Sequence, residues 1–345
     1  MRNRAISGTD ELGKPLDLVA ERLPPSWRLL KAPGARVVSV RAPDGTTARL
    51  AVLGRRKLEP KDVLALRVAS KDGLRGTLVT APFLSPRTRQ LLRQAGANYA
   101  DASGNVRLAV DRPGIFVERE GAQKDPERER QPRPLVSLKG PAAARVVRAL
   151  CDVRPPYGVR QLAEVAGTAP ASASRVVNLL EREALIERGP RDEIREVDWA
   201  ALLQRWTQDY QFLSSNSVTT FLDPRGMPTF LRKLASLKVR AAVTGSLAAI
   251  RRAPAASPRL AAIYVEDPES AARTLDLRPA ESGGNVMLVR PMDRVAFART
   301  WVEDKVTYAA LSQVAADLLT SPGRGPSEGE ELIAWMKKNT DAWRA

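Results

Sequence analysis

The chain has no histidine in 345 residues and a single cysteine, Cys151. The first absence removes Ser-His-Asp and Cys-His catalysis and every histidine-bearing zinc site. The second excludes an internal disulfide, which fits a reducing compartment. Cys151 lies in an apolar helical stretch and reads as a small hydrophobe. No apolar run reaches the roughly 18 residues that span a bilayer. The opening MRNRAISGTDELGK lacks the apolar core of a secretory leader. A cytoplasmic, nucleoid-associated protein without membrane contact is expected, with no cofactor.

What is abundant is positive charge. The formal net charge is +16, and such an excess favours polyanions, nucleic acid above all. Residues 1–122 carry 22 Lys/Arg against 12 Asp/Glu, so most of the excess sits in the first third of the chain. With 43% hydrophobic residues there is material for several cores, and the length predicts two or three domains.

The stretch that organises the rest is 156–197, PYGVRQLAEVAGTAPASASRVVNLLEREALIERGPRDEIREV. Val159, Leu162, Ala163 and Ala166 fall at helical spacing. Gly167 suits the exit from that helix, Thr168 a cap and Pro170 the first turn of the next helix, 171–183. There Ala173, Val176, Val177 and Leu180 make an inward stripe, leaving Ser172, Ser174, Arg175 and Asn178 outside. Hydroxyls, Arg and Asn are residue types that hydrogen-bond base edges and phosphates. Leu185–Glu187 and Ile194–Val197 alternate around Gly189-Pro190 as a hairpin, with Arg188, Arg191 and Arg195 at or near its tip. Helix, turn, helix and hairpin together predict a winged helix-turn-helix. The alternative is a plain helical hairpin with a solvated polar face.

Around this unit the chain divides as follows. Residues 1–122 predict a basic, mixed α/β domain: strands at Val37–Arg41, Ala48–Leu53, Gly76–Ala81, Val106–Val110 and Ile115–Glu118, and helices at Pro15–Arg22 and Pro86–Ala95. Pro43-Asp44-Gly45 signals a hairpin turn. Residues 123–134, QKDPERERQPRP, read as an exposed linker. The winged helix occupies 135–198, with an opening helix from Pro141. A connecting helix follows over 199–215, capped by Asp198, with Trp199, Leu202, Leu203 and Trp206 at core spacing. Residues 216–345 predict a further α/β domain that regulates or dimerises the protein. Its helices are expected at Asp223–Ser236, 246–252, Ser312–Leu319 and Ser327–Lys337, and its strands at Arg240–Val243, Leu260–Val265 and Val286–Arg290.

Several resemblances follow from these residues. The 156–197 stretch looks like the winged helices of bacterial transcription regulators, with Ala184 where many of them have glycine. DGTTARLAVLGRRKLEPKDV with TLVTAPFLSPRTRQLLRQAGANYADASGNVRL resembles a domain that precedes winged helices in actinobacterial regulators and is itself similar to the restriction-endonuclease-like fold. Its nucleases bind metal through an acid on one strand and Glu-x-Lys on the next. That slot falls here on Leu53-Gly54-Arg55, and Asp44 alone could not hold the ion, so the resemblance implies a scaffold without its chemistry. Thr244-Gly245-Ser246 resembles the phosphate-side turn of nucleotidyltransferases, yet the next strand, LAAIYV, lacks their Asp-x-Asp. The tail TYAALSQVAADLLTSPGRGPSEGEELIAWMKKN is similar to the AbiEi-like antitoxin and regulator group of type IV toxin–antitoxin systems.

The reading that follows is a regulator, expected to be a repressor and a homodimer, bound to double-stranded DNA. Ser172, Ser174, Arg175 and Asn178 would meet bases and phosphates, Arg188 and Arg191 the backbone or minor groove, Arg160 would bind DNA as well, and Arg55, Arg56 and Arg89 would add non-specific hold. An antitoxin that binds a toxin or small-molecule effector through its C-terminal domain is the alternative. A nuclease or nucleotidyltransferase is a third reading, which Leu53 and the carboxylate-free strand oppose.

Overall fold

The computed structural model describes residues 10–31, 36–66, 74–126, 137–235, 239–253 and 258–345. They divide into two units: residues 1–133 with 182–184, and residues 134–181 with 185–345. The expected linker falls outside the described residues from 127 onward.

The first unit runs α1 (Asp10–Arg22), β1 (Arg28–Lys31), β2 (Val37–Arg41), β3 (Thr47–Gly54), α2 (Pro60–Leu64), β4 (Leu74–Ala81), α3 (Pro86–Gln94), β5 (Asn98–Asp101), β6 (Val106–Val110) and β7 (Ile115–Arg119). The seven strands lie in chain order in one sheet. β3, β4 and β5 are parallel and the other pairs antiparallel. Parallel neighbours need a crossover, and α3 supplies it between β4 and β5. The β2–β3 turn forms at the expected Pro43-Asp44-Gly45, where the Asp44 carboxylate accepts the Thr46 amide at 2.8 Å. One apolar cluster, with Val19, Leu50, Leu78 and Leu108, and another, with Val79, Leu84, Leu92 and Tyr99, form its cores.

The second unit opens with three helices, α4 (Pro141–Asp152), α5 (Val159–Ala166) and α6 (Pro170–Arg182), and a hairpin of β8 (Ile186–Arg188) and β9 (Ile194–Val197). Next come α7 (Trp199–Trp206), α8 (Phe212–Ser215), β10 (Ser217–Leu222), α9 (Met227–Ala235), β11 (Ala241–Thr244), α10 (Ser246–Ala249), β12 (Ala261–Val265), α11 (Pro268–Thr274), β13 (Arg278–Pro279), β14 (Val286–Arg290), β15 (Trp301–Glu303), β16 (Val306–Tyr308), α12 (Leu311–Leu319) and α13 (Gly325–Lys338). The second seven-stranded sheet has the order β13-β10-β14-β12-β11-β16-β15 and is mixed. One continuous apolar core runs from Leu138 in front of α4 to Met336 in α13.

The connecting helix departs from expectation. Asp198 caps it, accepting the Ala201 amide at 3.0 Å, but it ends at Trp206 and the chain turns before α8. Two polar anchors explain the break. Asp209 reaches back to the Leu138 amide at 2.7 Å and to Arg205 at 2.8 Å. Tyr210 stacks on Trp206 and donates its hydroxyl to buried Asp317 at 2.7 Å. Among the described residues, no helix is long and apolar enough to cross a membrane.

Candidate nucleic-acid interface

The helix–turn–helix is closed by its turn. Gly167 takes the left-handed conformation at φ 60°, ψ 44°. The Thr168 amide then reaches Ala163 O and the Gly167 amide reaches Glu164 O, both at 3.0 Å, the paired bonds that terminate helices around such a glycine. α6 starts with Pro170 at its first position, and the Ser172 and Ala173 amides return to Ala169 O at 2.9 and 3.1 Å. The cap position therefore falls to Ala169 and not to Thr168 as expected, one residue too early for its hydroxyl to serve the first amides.

Ala173, Val176, Val177, Leu179 and Leu180 are buried on the inner face of α6. On the outer face Arg175 and Asn178 are exposed, and Ser172 and Ser174 are half-buried. Arg175 donates to the Ser172 hydroxyl at 3.3 Å. Arg160 is exposed at the start of α5. Ser174, Arg175 and Asn178 thus share the outer side of a packed helix, and Ser172 lies toward the buried edge near Val176 and Leu179.

The wing is a hairpin to which Tyr157 adds a bridge opposite Ile194. Its tip closes through the Asp192 amide to Gly189 O at 3.0 Å, with Asp192 itself at φ 63°. Arg191 is exposed there. Arg188 behaves differently from expectation. Its side chain is 13% exposed and bonds Asp192 at 2.7 Å, the Asn178 side-chain oxygen, and Glu181 at 3.5 Å. It braces the wing against α6 instead of standing free for phosphate. Residues 186–197 carry three arginines and four acids. The wing therefore offers local cations and no net positive charge.

Arg55 and Arg56 follow β3 and are exposed, but Arg89 is only 5% exposed and donates to Gln123 at 2.6 Å. Arg89 thus departs from the expected surface role: helix periodicity turns it inward beside Leu92.

The turn at 244–246 is covered from within. The Ser246 hydroxyl bonds the Glu328 carboxylate of α13, which is 8% exposed. A phosphate there would meet that carboxylate, and β12 supplies no acid of its own. Among the described residues, no group of three or more His, Cys, Asp or Glu is placed to hold a metal.

Sequence reasoning missed two buried polar centres. Arg148 of α4 is fully buried and donates to Ser312 at 2.8 Å, Gln313 at 2.7 Å and Asp152 at 3.0 Å, and to the Val295 and Ala298 carbonyls. Asp317 of α12 accepts from Thr244 at 2.5 Å, from Tyr210 and Tyr264 at 2.7 Å each, and from Gln313 at 2.8 Å. Burial raises the Asp317 carboxyl above the ordinary range, against the pull of its donors. Burial likewise pushes the Cys151 thiol up, so it is an inert packing residue. The available signal was an arginine at core phase between Val147 and Leu150.

Two stretches of the second unit match known families. Residues 135–205 match the family described as Crp-like helix-turn-helix domain. Residues 195–334 match the family described as transcriptional regulator, AbiEi antitoxin, Type IV TA system. No curated protein gives a match. A solved structure titled "Structure of EndoMS in apo form" is 24% identical over 29% of this chain, with a TM-score of 0.16. The match spans 48% of that protein, and at this TM-score it carries no argument. The two family matches support a DNA-binding transcriptional regulator, with an antitoxin as the alternative.

Proposed function

We propose that the chain is a sequence-specific regulator of transcription, a repressor, that places α6 in the major groove of double-stranded DNA as one of two identical copies. The observation that carries this reading is the outer face of α6, where Arg175 and Asn178 are exposed beside half-buried Ser174 on a helix whose opposite face is packed into the core. Arg175 is suited to a base edge or phosphate, Arg160 and Arg191 to the flanking backbone, and Arg188 to holding Asn178 in place. Arg55 and Arg56 would add sequence-independent attraction. We read residues 1–122 as an endonuclease-like scaffold without metal chemistry and 216–345 as a nucleotidyltransferase-like domain without catalytic acids. Leu53-Gly54-Arg55, the carboxylate-free β12 and the Ser246–Glu328 bond support this.

The experiment is selection of bound DNA followed by anisotropy titration. Arg175→Ala is expected to weaken the selected site by about 1–3 kcal/mol, with a steep loss of affinity as salt rises. Indifference to both changes would overturn the assignment. The antitoxin reading is favoured by the match over 195–334. It predicts that the Arg175→Ala full chain still neutralises a toxin encoded beside it. Loss of neutralisation with loss of DNA binding would count against action by protein contact.

A further inference from the structure

The sheet of the first unit is covered unevenly. On one face α1 packs over Val38, Val40, Ala48 and Leu50, in the apolar cluster that holds Val19. On the other face the cluster under α2 and α3 holds Val79 and Tyr99 and ends at Leu53. The antiparallel part of the sheet, β1–β3, leaves that second face to solvent, as antiparallel strands can.

Register fixes which side chains stand there. Residues directly opposite one another share a face, so Arg28, Arg41 and Thr47 form one row across the three strands, and Leu30, Ser39 and Arg49 form the next. Ser39 is half-buried and the other five are exposed. Neither row contains an acid or an aromatic ring.

The three cations lack counter-charges. Arg28 folds back onto the Pro25 and Trp27 carbonyls at 2.6 and 3.0 Å. No acid pairs with Arg28, Arg41 or Arg49 among the described residues. Asp44, the acid nearest Arg41 in sequence, is turned to the Thr46 amide at 2.8 Å. Arg28 and Arg41 stand directly opposite each other, and like charges so placed weaken a sheet. An uncovered face that keeps such a pair, with no carboxylate to relieve it, is complementary to a polyanion. The surplus of residues 1–122, 22 Lys/Arg against 12 Asp/Glu, has the same sign.

The residue types select among polyanions. Single-stranded nucleic acid is held by rings on which its bases stack, and these rows offer none. A duplex backbone asks for cations and hydroxyl donors, which Arg41, Arg49, Ser39 and Thr47 supply.

We propose that the open face of β1–β3 binds the phosphate backbone of duplex DNA without regard to sequence, with Arg41 and Arg49 as its main contacts. This surface rests on the register and charge of the first unit and not on the reading of α6.

The test is anisotropy titration of the full chain with a random-sequence duplex of about 20 base pairs, between about 50 and 200 mM salt. In the double variant Arg41→Thr with Arg49→Thr, the slope of log affinity against log salt should become shallower by about two. The urea midpoint should stay the same or rise, since Arg28 loses its like-charged neighbour. An unchanged slope overturns the surface, as does tighter binding of a single strand of equal length. Should the double variant unfold earlier than the parent, Arg41→Lys with Arg49→Lys decides: a retained slope upholds the surface and a lost one overturns it. A chain that shows the expected slopes on random duplex yet selects no sequence overturns the reading of α6 alone.

Discussion

Arg148 is tolerated inside the protein because each face of its guanidinium fork meets an acceptor. Truncation would leave Asp152 buried with a diminished set of partners, Arg299 at 2.6 Å among them. Arg148→Ala is therefore expected to cost about 3–5 kcal/mol in urea unfolding, and Arg148→Met, which keeps the volume, distinctly less. A second residue sits against its own preference. Ala184 enters the wing at φ 51°, in the left-handed region where a Cβ crowds the carbonyl. Ala184→Gly is expected to raise stability by up to about 1 kcal/mol, the relief of strain offset in part by the freer unfolded chain. An unchanged or lower urea midpoint would show that the strain is absorbed elsewhere.

Elements were legible where pattern and punctuation agreed. α5 and α6 carry a 3.6-residue apolar stripe broken by Gly167 and Pro170, and β2, β6 and β14 match their expected ends. β5 was not legible: Asn98–Asp101 is buried on both faces and shows no alternation. β1 was missed for the opposite reason, as Arg28–Lys31 is an exposed edge with little apolar signal. The outer face of α6 could be read from spacing alone. The inward turn of Arg188 could not, because it depends on Asn178 and Asp192 arriving from two elements. Arg191→Ala is expected to lower the salt slope of DNA binding by about one charge with little change in stability. Between elements, the Arg145–Asp293 pair makes a pH prediction. Burial disfavours Asp293 ionisation, but Arg145 and the Val295 amide hold its carboxyl below the usual range. A depressed folded pKa contributes stability that is complete above the unfolded value of about 3.9 and is lost as pH falls through the folded one. The urea midpoint should fall on acidification in that window, and Asp293→Asn should flatten the fall.

At the scale of the second unit, the winged helix and the C-terminal part share one apolar core and the buried Arg148 centre, whose Gln313 also donates to Asp317. They are expected to unfold together. Hydrogen exchange should report similar protection in α4 and α12, and early opening of α4 alone would contradict the shared core. The same packing bears on how the protein meets a duplex. Because Arg148 plugs the first helix of the reading head into α12 and the 295–298 segment, the head has no swivel of its own. Any tilt of α6 larger than its turn allows must carry about two hundred residues with it, as a key turns with its bow. The DNA, with its softer steps, is then the partner that bends to fit, and operators should be discriminated by flexibility at positions no side chain reaches.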